Sequence, residues 1–170
     1  MMTSHIAPPP DTMRAMVLTE FGGPEVLHAA ELPTPVPGAD EVLVEIACTS
    51  VNPADWKTRE GKLSAYIDYH FPFVLGFDLA GVIAAVGPGV TRWQAGDQVF
   101  GMSNQRNGND GTYAEYCIAS SELLAPLPEG WSYAPLETCS QKNSITYGVV
   151  QPGAALDAGK PLIRVNNFKD

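Results

Sequence analysis

The stretch Glu41-Val-Leu-Val-Glu-Ile-Ala-Cys-Thr-Ser50 decides the fold. Successive side chains of an extended strand point to opposite faces, so Val42, Val44, Ile46 and Cys48 share one side and Leu43, Glu45 and Ala47 the other. One face of this strand is expected to be core. Working outward in both directions, apolar runs alternate with turn signals. They cover residues 13–18, then 26–32 after Gly22-Gly23-Pro24, and 79–86 and 98–102 on either side of Gly87-Pro88-Gly89 and Gly96-Asp97. Two more follow at 112–118 and 123–127. Strands about ten residues apart, with turns between them, mark a barrel or sandwich rather than alternating βαβ units. Residues 33–38 are too rich in proline for a central strand and read as a surface loop. Asn52-Pro53-Ala54-Asp55 is a turn that opens a short helix through Trp56 and Arg59, ended by Gly61. Residues 104–111, polar and glycine-rich, read as a mobile loop. Ser132 is placed to cap one helical turn containing Tyr133, with Pro135 tolerated near its start. The expected class is mainly β with short helices (α+β).

Bulk properties narrow the functions. A chain of 170 residues fits the roughly 100–200 residues of one domain. With 45% hydrophobic and 17% charged residues, 16 Gly and 15 Pro, it reads as ordered and rich in turns. A formal charge of −9 repels phosphate backbones and anionic lipids, and Lys57, Arg59 and Lys62, diluted by Glu60, make no basic patch. No nucleic-acid or membrane partner is therefore expected, and no run approaches the roughly 18 apolar residues of a membrane helix. Cys48, Cys117 and Cys139 are odd in number and widely spaced, which suits buried thiols in a reducing compartment and a cytoplasmic protein. Residues 1–12, with three successive prolines, read as a flexible leader lacking the pattern of a secretory signal. Gly81, inside an apolar β run, gives up side-chain packing, as happens where another backbone or a ligand comes close.

Three groups of residues, in order, carry a family resemblance. Met13-Arg-Ala-Met-Val is followed by Phe21-Gly-Gly-Pro-Glu-Val-Leu27 and Val51-Asn-Pro-Ala-Asp-Trp-Lys57. Pro72-Phe-Val-Leu-Gly-Phe-Asp78 continues into Leu79-Ala-Gly-Val-Ile83, Val86-Gly-Pro-Gly-Val90 and Gly96-Asp-Gln-Val99. Gly111-Thr-Tyr-Ala-Glu-Tyr116 precedes Leu124-Ala-Pro-Leu-Pro-Glu-Gly130. Together they resemble the medium-chain dehydrogenase/reductase superfamily, in particular its quinone oxidoreductase and enoyl reductase branch. The resemblance implies that residues 13–133 form the GroES-like, partly open β-barrel on the substrate side. It also implies NADPH as cofactor and a small-molecule quinone or enone as substrate. The doubly wound cofactor domain that comes next in such proteins is expected to be missing, since no G-x-G-x-x-G occurs among the last forty or so residues.

In the zinc-dependent relatives a cysteine stands where this chain has Asn52, and a His-Glu pair where it has Phe77-Asp78, so the resemblance implies no catalytic zinc. The four-cysteine structural zinc lobe is also lacking. The remaining chemistry is hydride transfer, for which the protein supplies position and polarisation. Asn52 and Lys57 are the catalytic and cofactor-binding candidates. For Asn52 two readings stand: a donor to a carbonyl oxygen as charge develops there, or a turn-forming amide. Lys57 contacts cofactor phosphate or substrate oxygen, or else is a solvated lysine. Asp55 reads as a capping carboxylate. A tyrosine that some enoyl reductases carry shortly after the position of Gly61 is not matched, since Leu63 stands near that place, which makes a quinone the easier substrate.

Residues 134–170 read as a divergent tail, truncated or fused. Residues 145–153 and 159–168 resemble the start of a DNA-recognition domain in type I restriction enzyme specificity subunits. The last 32 residues hold four basic and two acidic side chains, a net of +2 against −9 for the whole. A fragment of roughly 35 residues cannot bury enough surface to read DNA by itself. The chain alone is expected to be inactive or weakly active. The alternative is a non-enzymatic β-barrel acting as an interaction module, with a homodimer formed through the exposed cleft face.

Overall fold

The computed structural model describes residues 7–103, 105 and 110–133. Among these residues there are eight strands, one short α-helix and two 3-10 turns at Pro24–Val26 and Ser121–Leu123: β1 Thr12–Leu18, β2 Leu27–Pro33, β3 Glu41–Thr49, α1 Pro53–Arg59, β4 Phe73–Val74, β5 Asp78–Val86, β6 Gln98–Met102, β7 Tyr116–Ser120 and β8 Leu124–Pro126. They form a three-stranded sheet in the order β2-β1-β4 and a five-stranded sheet in the order β7-β3-β5-β6-β8. The domain is mainly β, and its sheets do not close.

Strand β3 is central: it pairs antiparallel with β5 on one side and β7 on the other. Val42 and Val44 are fully buried, and they join Leu79, Ile83, Val99, Ala119, Leu124 and Trp93 in the main core. Each fully buried aliphatic side chain contributes about 1.5–3 kcal/mol. A second cluster, Leu18, Val26, Phe73 and Leu75, fills the space beside the three-stranded sheet. The segment 113–115 joins the sheets. Met16 N–H donates to Tyr113 O at 2.8 Å, Glu115 N–H to Arg14 O at 3.0 Å, and Ile46 N–H to Glu115 O at 2.8 Å.

The simple alternation expected of β3 fails near its end. Ile46 pairs with Gly81 and Cys48 with Ala80, which leaves Ala47 as an extra residue. Such a bulge reverses the facing of the residues beyond it. Cys48, expected on the core face, is therefore exposed, while Cys117 is buried. Gly81 lies opposite this bulge, where an added Cβ would sit 2.0 Å from Glu45 O, so another backbone does make the close approach expected there.

Helix α1 runs as expected from Asn52. It closes in a Schellman arrangement, with Gly61 N–H bonded to Thr58 O, Lys62 N–H to Lys57 O and Gly61 at φ 75°. The strand expected over 112–118 is paired as a strand only from Tyr116. Of the expected mobile loop, Asn104 and residues 106–109 lie outside the described residues. Gln105 is buried with its Nε2 donating to Val74 O, and Asp110 accepts from Val74 N–H. Ser132 and Tyr133 are not helical. Pro135, Cys139 and the tail 134–170 lie outside the described residues, as do residues 1–6 of the leader.

Candidate functional site

Asn52 sits three residues beyond β3, at the N-cap of α1. Pro53 at the first helical position loses nothing there, because its missing N–H would have had no helical partner. The half-buried Asn52 amide is held on one side. Its Nδ2 donates to Asp78 Oδ2 at 2.7 Å and to Ser50 Oγ at 2.9 Å, and Ser50 Oγ donates to the same Asp78 oxygen at 2.6 Å. Asp78 opens β5, which lies beside β3, so the sheet itself brings carboxylate and amide together. Thr49 Oγ1 donates to the Asp78 main-chain carbonyl at 2.9 Å, and at 2.7 Å from Thr112 Oγ1 it is left to accept the Thr112 proton. For Asn52 to become a donor to a substrate carbonyl, one of its two bonds must be given up. The bond to a charged partner is worth about 1.5–3 kcal/mol.

Behind Asn52 lies a second, buried carboxylate. Asp55 is 2% exposed and its Oδ2 accepts the Asn52 main-chain N–H at 2.6 Å, which is the capping role expected of it. Burial holds the Asp55 pKa above the usual aspartate value, opposed by the Asn52 hydrogen bond. The Tyr113 hydroxyl is close enough to lower it further, and burial followed by the charge of Asp55 pushes the Tyr113 pKa well up. Neither Asp55 Oδ1 nor Tyr113 OH, both buried, completes a well-formed hydrogen bond.

Lys57 is not part of this network. It is exposed on α1, with its Nζ 5.6 Å from the Trp56 ring centre and Lys62 Nζ 4.9 Å from the same ring. Sequence reasoning named Asn52 but missed Ser50, Thr49, Thr112 and Tyr113, and read Asp78 only as a departure from a zinc ligand pair. The signal available was a Ser-x-Asn followed by an aspartate at the head of the neighbouring strand. Among the described residues no three His, Cys, Asp or Glu side chains come together as a metal group. A cleft of about 410 Å³, lined by Met13, Glu41, Asp110, Tyr116 and Cys117 among others, lies at the Glu41 end of β3, away from Asn52. Burial pushes the Cys117 thiol there up to about 12.

A nicotinamide could be met by the Asn52 amide oxygen, since both amide N–H bonds go to Asp78 and Ser50. Nothing comparable serves a pyrophosphate among the described residues, where the single α-helix is seven residues long. The residues present thus fit one end of such a cofactor.

Residues 38–129 match the family described as the alcohol dehydrogenase GroES-like domain. The chain belongs to this family. It is the N-terminal domain of the medium-chain dehydrogenase/reductase superfamily, and its GroES-like domain is similar to that of quinone oxidoreductases. Human quinone oxidoreductase is 38% identical over 152 residues, 89% of this chain and 44% of that protein. A trans-enoyl reductase of Fusarium mangiferae is 39% identical over 129 residues, 75% of this chain and 30% of that protein. A mycobacterial protein solved in complex with NADPH superposes with a TM-score of 0.61 at 35% identity, covering 71% of this chain and 34% of that one. The chain spans less than half the length of these relatives. The match to the human protein, at 152 residues, is too long to end at Tyr133, so similarity extends beyond the GroES-like domain.

Proposed function

We propose that this chain supplies the substrate-side half of a zinc-independent, NADPH-dependent reductase of quinones or enones. The observation that carries the proposal is the Asn52 amide, fixed by Asp78 and Ser50 at the end of β3 in a domain whose relatives include quinone oxidoreductases and a trans-enoyl reductase. Zinc independence is supported by Asn52 and Phe77 in the places of metal ligands, and by an Asp78 oxygen already taking two hydrogens. A bound nicotinamide supplies the hydride. The chain's own residues orient the acceptor against it: Asn52 contacts the ring end of the site, and Lys57 adds a cation on the exposed side of α1. Protons for the reduced quinone come from water.

Residues 134–170 read, on this proposal, as the beginning of the superfamily's second half rather than as a DNA-recognition fragment, because similarity to the human relative runs past Tyr133. The buried Cys117 thiol suits the reducing cytoplasm.

The test is a fluorescence titration of the 170-residue chain with NADPH, then turnover assays with quinones. Saturation below about 0.1 mM, roughly −5.5 kcal/mol, supports a dinucleotide site that this chain builds by itself or as a homodimer. The expected result is weak binding and slow turnover, both raised by adding a relative's cofactor domain. No binding and no turnover in either case would leave the domain as an interaction module.

A further inference from the structure

The Asn52 amide has two N–H bonds and one carbonyl oxygen, so its orientation determines which kind of ligand atom it can recognise. Both N–H bonds are committed on one side, to Asp78 Oδ2 at 2.7 Å and Ser50 Oγ at 2.9 Å. The Ser50 proton goes to the same Asp78 oxygen at 2.6 Å, which leaves the Ser50 oxygen able to accept and not donate towards Asn52. Turning the amide over would set its oxygen against a carboxylate and a hydroxyl oxygen whose proton is already used, three acceptors facing one another. The network therefore admits one orientation. In it, Oδ1 faces the first turn of α1 and takes the capping-box position against the Asp55 N–H, which also bonds to the Asn52 main-chain carbonyl at 3.0 Å. The cap uses one of the two lone pairs of this carbonyl oxygen, so Oδ1 keeps the other for a ligand donor.

We infer that Asp78, with Ser50, is a positioning residue that fixes the Asn52 amide so that it presents its carbonyl oxygen and recognises a hydrogen-bond donor of the bound ligand, an amide N–H or a hydroxyl. This rests on the reading of Asn52 as a ligand contact, and it changes the expected role: the amide accepts, where a donor to a developing oxyanion was anticipated. The Asp78 side chain acts through Asn52 and does not itself meet the ligand.

The experiment is nuclear magnetic resonance on the full 170-residue chain with ¹⁵N-labelled asparagine, the Asn52 side-chain signal being assigned by its loss in Asn52→Asp. Both Asn52 side-chain protons should exchange with water at least about tenfold more slowly than those of a free asparagine amide, and show cross-relaxation with Ser50 Hβ. Asp78→Asn should speed that exchange about tenfold or more while the main-chain amides of β3 and β5 stay protected. Should Asp78→Asn fail to fold, Ser50→Ala serves, and it should speed one of the two protons and spare the other. Fast exchange of both protons in the unaltered chain, or no change in either folded variant, overturns the inference. Added NADPH supplies the separate arm. With Oδ1 as the contact both protons stay slow when NADPH shifts the main-chain signals around Asn52, whereas release of one proton on binding refutes the acceptor role. No shift anywhere with NADPH counts against the proposed function, and the orientation is still decided by the exchange rates, which need no cofactor.

Discussion

Asp55 is a single residue whose two oxygens have opposite fates: Oδ2 caps α1 through the Asn52 N–H, while Oδ1 is buried with no completed bond. Burial raises its pKa in the folded chain above the unfolded value of about 3.9. Below that unfolded value Asp55 is protonated in both states and its contribution to stability is fully present. As pH rises through the higher folded value the contribution is lost, because the folded state must then hold a desolvated charge. Asp55→Asn keeps a capping acceptor and removes the charge. It is expected to stabilise the domain by about 1 kcal/mol at neutral pH and by little at pH 3, read from urea unfolding at the two pH values. Asp110, raised by burial in the same direction, leaves part of the slope in place. At this scale the sequence was partly legible: Asn-Pro-Ala-Asp announced the cap, and Asn52 was named as a site residue. The Asp78 clamp was not legible, because 26 residues separate its members in sequence and only the β3–β5 register joins them.

Strands β1, β3, β5 and β6 lie within a residue or two of where periodicity put them, since each carries an apolar face long enough to show its period. The bulge at Ala47 was hidden, because a single extra residue leaves composition unchanged while it turns Cys48 outward. Gly81 is its trace in the sequence. An alanine there would bring a Cβ to 2.0 Å from Glu45 O, a backbone atom that cannot rotate away, so β3 and β5 would have to separate. Gly81→Ala is expected to cost about 3 kcal/mol or to prevent folding. Gly130→Ala is the control, with nothing within 4 Å of the added Cβ and only the strain of φ 79° to bear, about 1 kcal/mol. Thermal unfolding of the two variants side by side separates close approach from backbone conformation. Equal losses would mean that the bulge yields to the methyl group.

Across the whole molecule, the order of motifs from Met13 to Gly130 made the family legible, because they punctuate successive strands of the two sheets. What could not be read from periodicity was how the domain ends after β8, where no further strand or helix occurs among the described residues. Tyr133 supplies the answer there: its hydroxyl lies 2.5 Å from Gly81 O and 3.2 Å from Val99 O, on adjacent strands β5 and β6. One hydroxyl proton is shared between two carbonyls, so Tyr133 ties the chain after β8 to β5 and β6 at the glycine that the β3 bulge requires. Tyr133→Phe keeps the ring and is expected to cost about 1 kcal/mol, the net worth of one neutral hydrogen bond. If residues 13–133 are the folding unit, a chain cut after residue 136 should unfold in urea as one cooperative transition, within about 1 kcal/mol of the full chain. A cut before Tyr133 should lose more than Tyr133→Phe does, because ring packing goes with the hydrogen bond. Equal stability of the two cuts would show that Tyr133 is no anchor, and a large loss on cutting after residue 136 would place part of the folding unit in the tail.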